Sequence, residues 1–217
     1  MIVLVGFMGA GKTTVGTLLA ARLGLPFVDS DQVIEQRAAR PVRQIFAQDG
    51  EPAFRALEHQ VIAELLDGPP IVLALGGGAP EHPATQALLG RGDDRALTQG
   101  DSIPPDPPGR PPREGMARGD DPAGLAARGG GPRPPREGMA DAQVVYLHVS
   151  YEQALQRVGG DRDRPLLARP DLARLYGRRL GVYPGVAMLT VPTDGRDPLA
   201  ITEDILLATT LLRTGKG

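Results

Sequence analysis

Short apolar runs rich in β-branched residues alternate along the 217-residue chain with stretches whose apolar positions recur at helical spacing. The runs predict strands at about 2–5, 26–28, 71–75, 143–149 and 187–191. Between them Val15, Leu18, Leu19 and Leu23 share one helical face, and so do Phe54, Leu57, Val61 and Leu65. The second of these helices has Pro52 near its first turn, where a missing N–H is no loss. A last helix is expected from about 198 to 212. This alternation is the mark of βαβ units. It predicts an α/β fold, a three-layer α/β/α sandwich on a five-stranded parallel sheet, with ligands at the carboxyl ends of the strands.

One interval breaks the rhythm. Residues 91–141 hold 10 of the 22 prolines, 10 of the 29 glycines and no aromatic residue, and the octapeptide RPPREGMA occurs there twice, at 110–117 and 133–140. Such a segment has too little apolar surface to offset the entropy of ordering it. The chain therefore reads as a single domain, 1–217, interrupted at about 92–141 by a disordered, low-complexity insert. Its Arg-Pro-Pro-Arg runs are of a kind that docks on aromatic grooves, but a plain spacer is the simpler reading. Its 8 arginines are balanced by 9 acidic residues, so it is no basic arm.

Overall charge narrows the partners. A net charge of −2 and a pI near 5.9 argue against nucleic acid. No apolar run approaches the roughly 20 residues that span a bilayer, which argues against a membrane. Cysteine is absent, excluding disulfides and thiolate metal sites. The amino terminus has no secretory pattern. A monomer in the cytoplasm is expected. Of 24 basic residues only Lys12 and Lys216 are lysine.

Lys12 falls in GFMGAGKTT, residues 6–14, which fits G-x-x-x-x-G-K-[ST] between a strand and a helix. Here Gly9, Ala10, Gly11, Lys12, Thr13 and Thr14 would cradle the phosphates of ATP. Lys12 would reach the β and γ phosphates, and the Thr13 hydroxyl would ligate Mg²⁺. A phosphate loop gives nucleotide binding without naming the reaction. After the second strand, VDSD places Asp29 and Asp31 at the same sheet edge. A carboxylate there can support the magnesium shell or orient an attacking hydroxyl, or it can simply cap a helix. The run LALGGGA ends the third strand in Gly76, Gly77 and Gly78, where missing side chains would let a substrate approach the backbone.

Two arginines stand out for anion binding. Arg55, in FRALE, points off the apolar face set by Phe54 and Leu57, with Glu58 one turn on. The two form either an ordinary surface pair or an arginine oriented toward an anion. Arg164, in GGDRDRPLL, lies in a loop with the composition of a mobile lid, from which it could neutralise a transferring phosphoryl group.

Taken in order, GFMGAGKTT, DSD, FRALE, GGGA and RDRPLL resemble shikimate kinase, a P-loop family related to the nucleoside monophosphate kinases. The resemblance covers nearly the whole chain outside the insert. It implies a P-loop kinase fold with a lid, ATP and shikimate as substrates and Mg²⁺ as cofactor. The implied reaction is phosphorylation of the 3-hydroxyl of shikimate, a step toward chorismate and the aromatic amino acids. On it, Asp31 binds the shikimate hydroxyls and is the candidate base, and Asp29 supports Mg²⁺ alongside Thr13. Arg55 and Gly77 match substrate positions, and Arg164 is the catalytic lid arginine on the ATP phosphates together with Lys12. Arg157 and Arg196 fall near the adenine. A final arginine four residues before a tyrosine would complete a carboxylate clamp. That spacing selects Arg179, before Tyr183, with Arg178 as the alternative. Two arginine forks and a carboxylate also suit a small hydroxylated acid on physical grounds.

Other readings stay open on sequence alone. They are another small-molecule P-loop kinase such as a gluconate kinase, a nucleotide-dependent regulatory module, or a silent paralogue acting through the proline-rich segment. His59, His82 and His148 fit no ligand spacing. The insert joins a helix ending near Leu89 to the strand beginning near Gln143, so it should leave from the sheet edge opposite the phosphate loop.

Overall fold

The apolar quartet Ile2–Val5 forms β1 at the centre of the sheet and is buried on both faces. That is why it reads as a continuous apolar run rather than an alternating one. The computed structural model describes residues 1–90, 142–159 and 171–214, with side chains up to 211. The insert at 91–141 and the lid interval at 160–170, with Arg164, lie outside the described residues.

After β1 come α1 (Lys12–Leu23), β2 (Phe27–Asp29), α2 (Ser30–Ala38), α3 (Val42–Leu66) and β3 (Val72–Ala74). A 3-10 turn (Ala79–Glu81) and α4 (Pro83–Leu89) lead toward β4 (Gln143–His148). Then α5 (Tyr151–Val158), α6 (Leu172–Val186), β5 (Leu189–Pro192) and α7 (Pro198–Thr214) complete the order. The five strands are all parallel in the order β2-β3-β1-β4-β5. Pairing of Ile2 with both Val72 and Gln143 sets the register of the three middle strands. Strands β2 and β3 are added on one side of β1 and β4 and β5 on the other, and a crevice is expected at the carboxyl end of such a switch point.

Helices α1 and α7 pack on each other over one face, while α3, α4 and α6 cover the other. The main core includes Val3, Leu4, Leu73 and Leu147, all fully buried, and reaches Phe7 and Tyr183 at the carboxyl edge. A second, smaller core of Ile34, Ile45, Phe54 and Val61 holds α2 against α3. The expected single helix around Pro52 is the second half of α3. Gly50 (φ 81, ψ 168) kinks that helix in a backbone region open essentially to glycine, and Pro52 then starts a new helical segment. Strand boundaries fall within two residues of those expected. The largest shift is at β5, which starts at Leu189 because Met188 still closes the turn, donating its N–H to Val144 O at 2.8 Å.

Candidate active site

The loop from Gly6 to Gly11 turns directly out of β1 into α1. Gly9 (φ 77) could not be replaced, since a Cβ there would sit 2.9 Å from the Ala154 carbonyl oxygen. Gly11 caps α1 with no side-chain partner, so the first N–H groups of the helix and its dipole are presented to an anion. Lys12 Nζ arches back over the loop and donates to Gly6 O at 2.8 Å and Phe7 O at 3.3 Å. Beside it an open cleft of about 320 Å³ is lined by Gly9, Gly11, Thr14, Arg157, Thr193 and Arg196. Arg157 donates to Gly9 O (3.0 Å) and Thr193 O (2.6 Å), which ties α5 and the end of β5 to the phosphate loop. Arg196 pairs with Asp204 across the first turns of α7. Thr193 carried no signal in the sequence, because its role depends on where β5 ends.

Across the loop, at the ends of β2 and β3, charged side chains from α2, α3 and α6 gather around the glycine run. The two aspartates of VDSD separate in duty. Asp29 caps α2, its Oδ1 accepting the Asp31 N–H at 3.0 Å. Asp31 projects toward Gly76 at the end of β3. Burial, and then the neighbouring Asp29 carboxylate, push its pKa from 3.8 up to about 6, against the pull of Lys12 and Arg55. Between them Ser30 is fully buried, and its Oγ accepts the Gly76 N–H at 3.0 Å, locking β2 to the end of β3. Sequence reasoning passed over Ser30 because only the sheet order makes β2 and β3 neighbours.

Arg55 and Glu58 are not a surface pair. They meet at 2.5 Å with side chains 15% and 2% exposed. The kink in α3 and the second core turn this face of the helix inward. Burial raises the Glu58 pKa to about 7, which Arg55 opposes and Asp31 adds to. Phe54, 5.3 Å from the Arg55 guanidinium, backs it with a ring face. Arg179 rather than Arg178 turns toward the glycine run: it is buried beside Gly77, whereas Arg178 is exposed. Tyr183, one turn along α6, donates its hydroxyl to Gly77 O at 2.8 Å.

The glycine run also makes room inside the protein itself. The space that side chains would fill is taken by the protein's own charged groups. A Cβ on Gly76 would meet Asp31 Oδ1 at 2.5 Å and Glu58 Oε1 at 2.8 Å, one on Gly77 would lie 3.3 Å from Arg179 Nη1, and one on Gly78 would overlap the Arg55 guanidinium. Three bare residues therefore let Asp31, Arg55 and Arg179 converge on one strand end.

The halves of the site abut at one atom. Gly6 O accepts from Lys12 Nζ at 2.8 Å and lies 3.6 Å from where a Gly77 Cβ would stand. The lysine of the phosphate-loop motif and the cluster of carboxylates and arginines thus share a wall, an arrangement that fits a P-loop kinase acting on a small molecule.

The model of the shikimate kinase family matches residues 8–95 and 128–210, so that 96–127 falls between the matched stretches. Shikimate kinase from Thermobifida fusca (strain YX) is 38% identical over 201 residues, covering 91% of this chain and 88% of that protein. The chain belongs to the shikimate kinase family. In structure it is similar to "Shikimate kinase from Acinetobacter baumannii in complex with shikimate", with a TM-score of 0.69 and 30% identity over 99% of this chain and 93% of that one. A gluconokinase from Sinorhizobium meliloti 1021 has a TM-score of 0.50 at 16% identity, covering 97% of this chain and 91% of that one, a likeness of fold alone.

Proposed function

We propose that the chain transfers the γ-phosphoryl group of ATP to the 3-hydroxyl of shikimate. The observation that carries this reading is the convergence of Asp31, Arg55 and Arg179 on the run Gly76 to Gly78, next to the carbonyl that holds Lys12. Arg55 and Arg179 are suited to fork the substrate carboxylate, and Asp31 to bind ring hydroxyls and accept the proton of the attacking one. A carboxyl whose pKa is near 6 releases its proton at neutral pH yet is basic enough to take one back. Lys12 and the α1 amino terminus would hold the phosphates, Arg157 and Arg196 would flank the base, and Arg164 would act from the lid.

Thr13, in the first turn of α1, and Asp29, at the end of β2, supply oxygen donors of the kind Mg²⁺ takes. When bound, that ion would neutralise charge on the phosphates. No described helix is long and apolar enough to cross a membrane. A monomer acting on free metabolites in the cytoplasm is the form we infer.

ADP release measured against shikimate, gluconate and a nucleoside monophosphate tests this reading: turnover should depend on shikimate, and its absence from a folded sample would overturn the assignment. Replacing Arg55 by lysine keeps the charge but loses the planar fork. The KM for shikimate should rise about tenfold or more while that for ATP stays within about twofold. Equal effects on both would count against a substrate clamp.

We also propose that the chain is one kinase domain carrying 92–141 as a spacer. In support, Gln143 opens β4 beside Met1, whose carbonyl accepts its N–H at 3.0 Å, so the described chain resumes at the amino edge of the sheet. Deleting 92–140 and closing the gap with a short linker should leave kcat within a few-fold, and stability should shift by only about 0.6 kcal/mol per doubling of loop length. A folded deletion variant without activity would show that the segment takes part.

A further inference from the structure

Glu81 lies outside every motif discussed so far, yet it makes a direct contact to the buried Arg179. It ends the 3-10 turn Ala79–Glu81, which grows out of the glycine run. That turn is rigid: Ala79 N–H donates to Gly76 O at 3.0 Å, Glu81 N–H to Gly78 O at 2.9 Å, and Ala79 and Pro80 are buried. The Glu81 carboxylate accepts from Arg179 Nε at 2.8 Å, with side chains 28% and 6% exposed. Phe7 lies under the Arg179 guanidinium, 5.9 Å from its ring centre, and Gly77 leaves room for Nη1.

A guanidinium has five donors in a planar fork. The contact to Glu81 uses Nε alone, so the terminal Nη1 and Nη2 pair is not consumed by it. A long arginine side chain without such a tether would sample several rotamers, and a charge this buried with no partner would be costly. We propose that Glu81 is a positioning residue for the acceptor: its carboxylate fixes Arg179 through Nε and so aims the terminal nitrogens at the substrate carboxylate over Gly77. The proposal rests on the reading of Arg179 as the carboxylate clamp. It also opposes a different use of the same contact, in which Glu81 imitates the substrate carboxylate and competes with it. The two differ in sign. A tether lost by truncation weakens substrate binding, whereas a competitor lost by truncation strengthens it.

The test is a cycle of Glu81→Ala, Glu81→Gln, Arg179→Ala and the Glu81→Ala/Arg179→Ala double variant, with KM for each substrate, kcat and melting temperature measured on the full chain. Glu81→Ala should raise the KM for shikimate about tenfold with the KM for ATP within about twofold, as expected for misplacement of a binding group. Glu81→Gln keeps an accepting oxygen and should recover the KM to within about threefold of the parent. In the Arg179→Ala background, which itself raises the KM for shikimate, loss of Glu81 should add less than about twofold. An unchanged or lowered KM for shikimate in Glu81→Ala overturns the proposal. So does a parallel rise in both KM values, or a glutamine variant as impaired as the alanine one. If Arg179→Ala leaves the KM for shikimate unchanged, the clamp reading itself fails.

Discussion

Replacing Lys12 by methionine is expected to lower kcat about 10³-fold, some 4 kcal/mol of transition-state stabilisation, with the fold intact. Lys12 bridges the two halves of the site: its Nζ holds Gly6 O and Phe7 O, and its charge also acts on Asp31. Methionine preserves the stem that packs along the loop but removes the cation that would meet the β and γ phosphates. The melting temperature should fall by only a few degrees, as for the loss of one or two part-buried hydrogen bonds of about 1 kcal/mol each. Stabilisation by added ADP should shrink much further, since it depends on nucleotide affinity. Steady-state kinetics with a thermal melt in the presence and absence of ADP separates the two effects. Near-normal kcat in the methionine variant would remove Lys12 from the chemistry.

The second large effect concerns Asp31. Asp31→Asn should reduce kcat by about 10²–10⁴-fold, the range for loss of a positioned base. The same change should stabilise the protein at neutral pH. In the folded chain the Asp31 pKa is about 6 against an ordinary 3.8. Between those values the folded chain retains a proton that the unfolded chain has released, so stability from this site is greatest at the acid end. It declines as pH rises through 6. Above that, a buried charge is carried at a cost on the order of 2–3 kcal/mol, which asparagine avoids. Glu58, raised to about 7 partly by Asp31, would be relieved as well. The parent's kcat/KM for shikimate should rise with unit slope below pH 6 and level off above pH 7, and the asparagine variant should lack that inflection. A destabilised asparagine variant, or a parent profile flat from pH 5 to 8, would contradict the role given to Asp31.

Both predictions attach to residues that were legible in the sequence, for a physical reason. Phosphate binding needs a fixed order of glycines, lysine and threonine at one strand-to-helix turn, so it is written locally. The same is true of VDSD and of the β-branched runs that became β1 and β3. What was not legible depended on sheet order and on packing over long separations. Ser30 meets Gly76 only because β2 lies beside β3. Glu81 meets Arg179 only because α6 returns over the 3-10 turn. Arg55 and Glu58 have the spacing of any exposed helical pair, and their burial follows from the break at Gly50 and the small core around Phe54. The glycine run was noticed for its composition, but which of the chain's own groups would lie against it was not. Backbone bareness there accommodates the protein's own acids and arginines, which no local pattern announces.

The acceptor position is therefore the point on which the reading stands. Incubating the intact chain with ATP, Mg²⁺ and shikimate and locating the new phosphate by ³¹P–¹H correlation NMR measures it directly. The phosphorus should couple to the ring proton on the 3-carbon, with one ADP formed per phosphate transferred. A phosphate on another hydroxyl, or ADP formed with free phosphate and no phosphorylated ring, would contradict it.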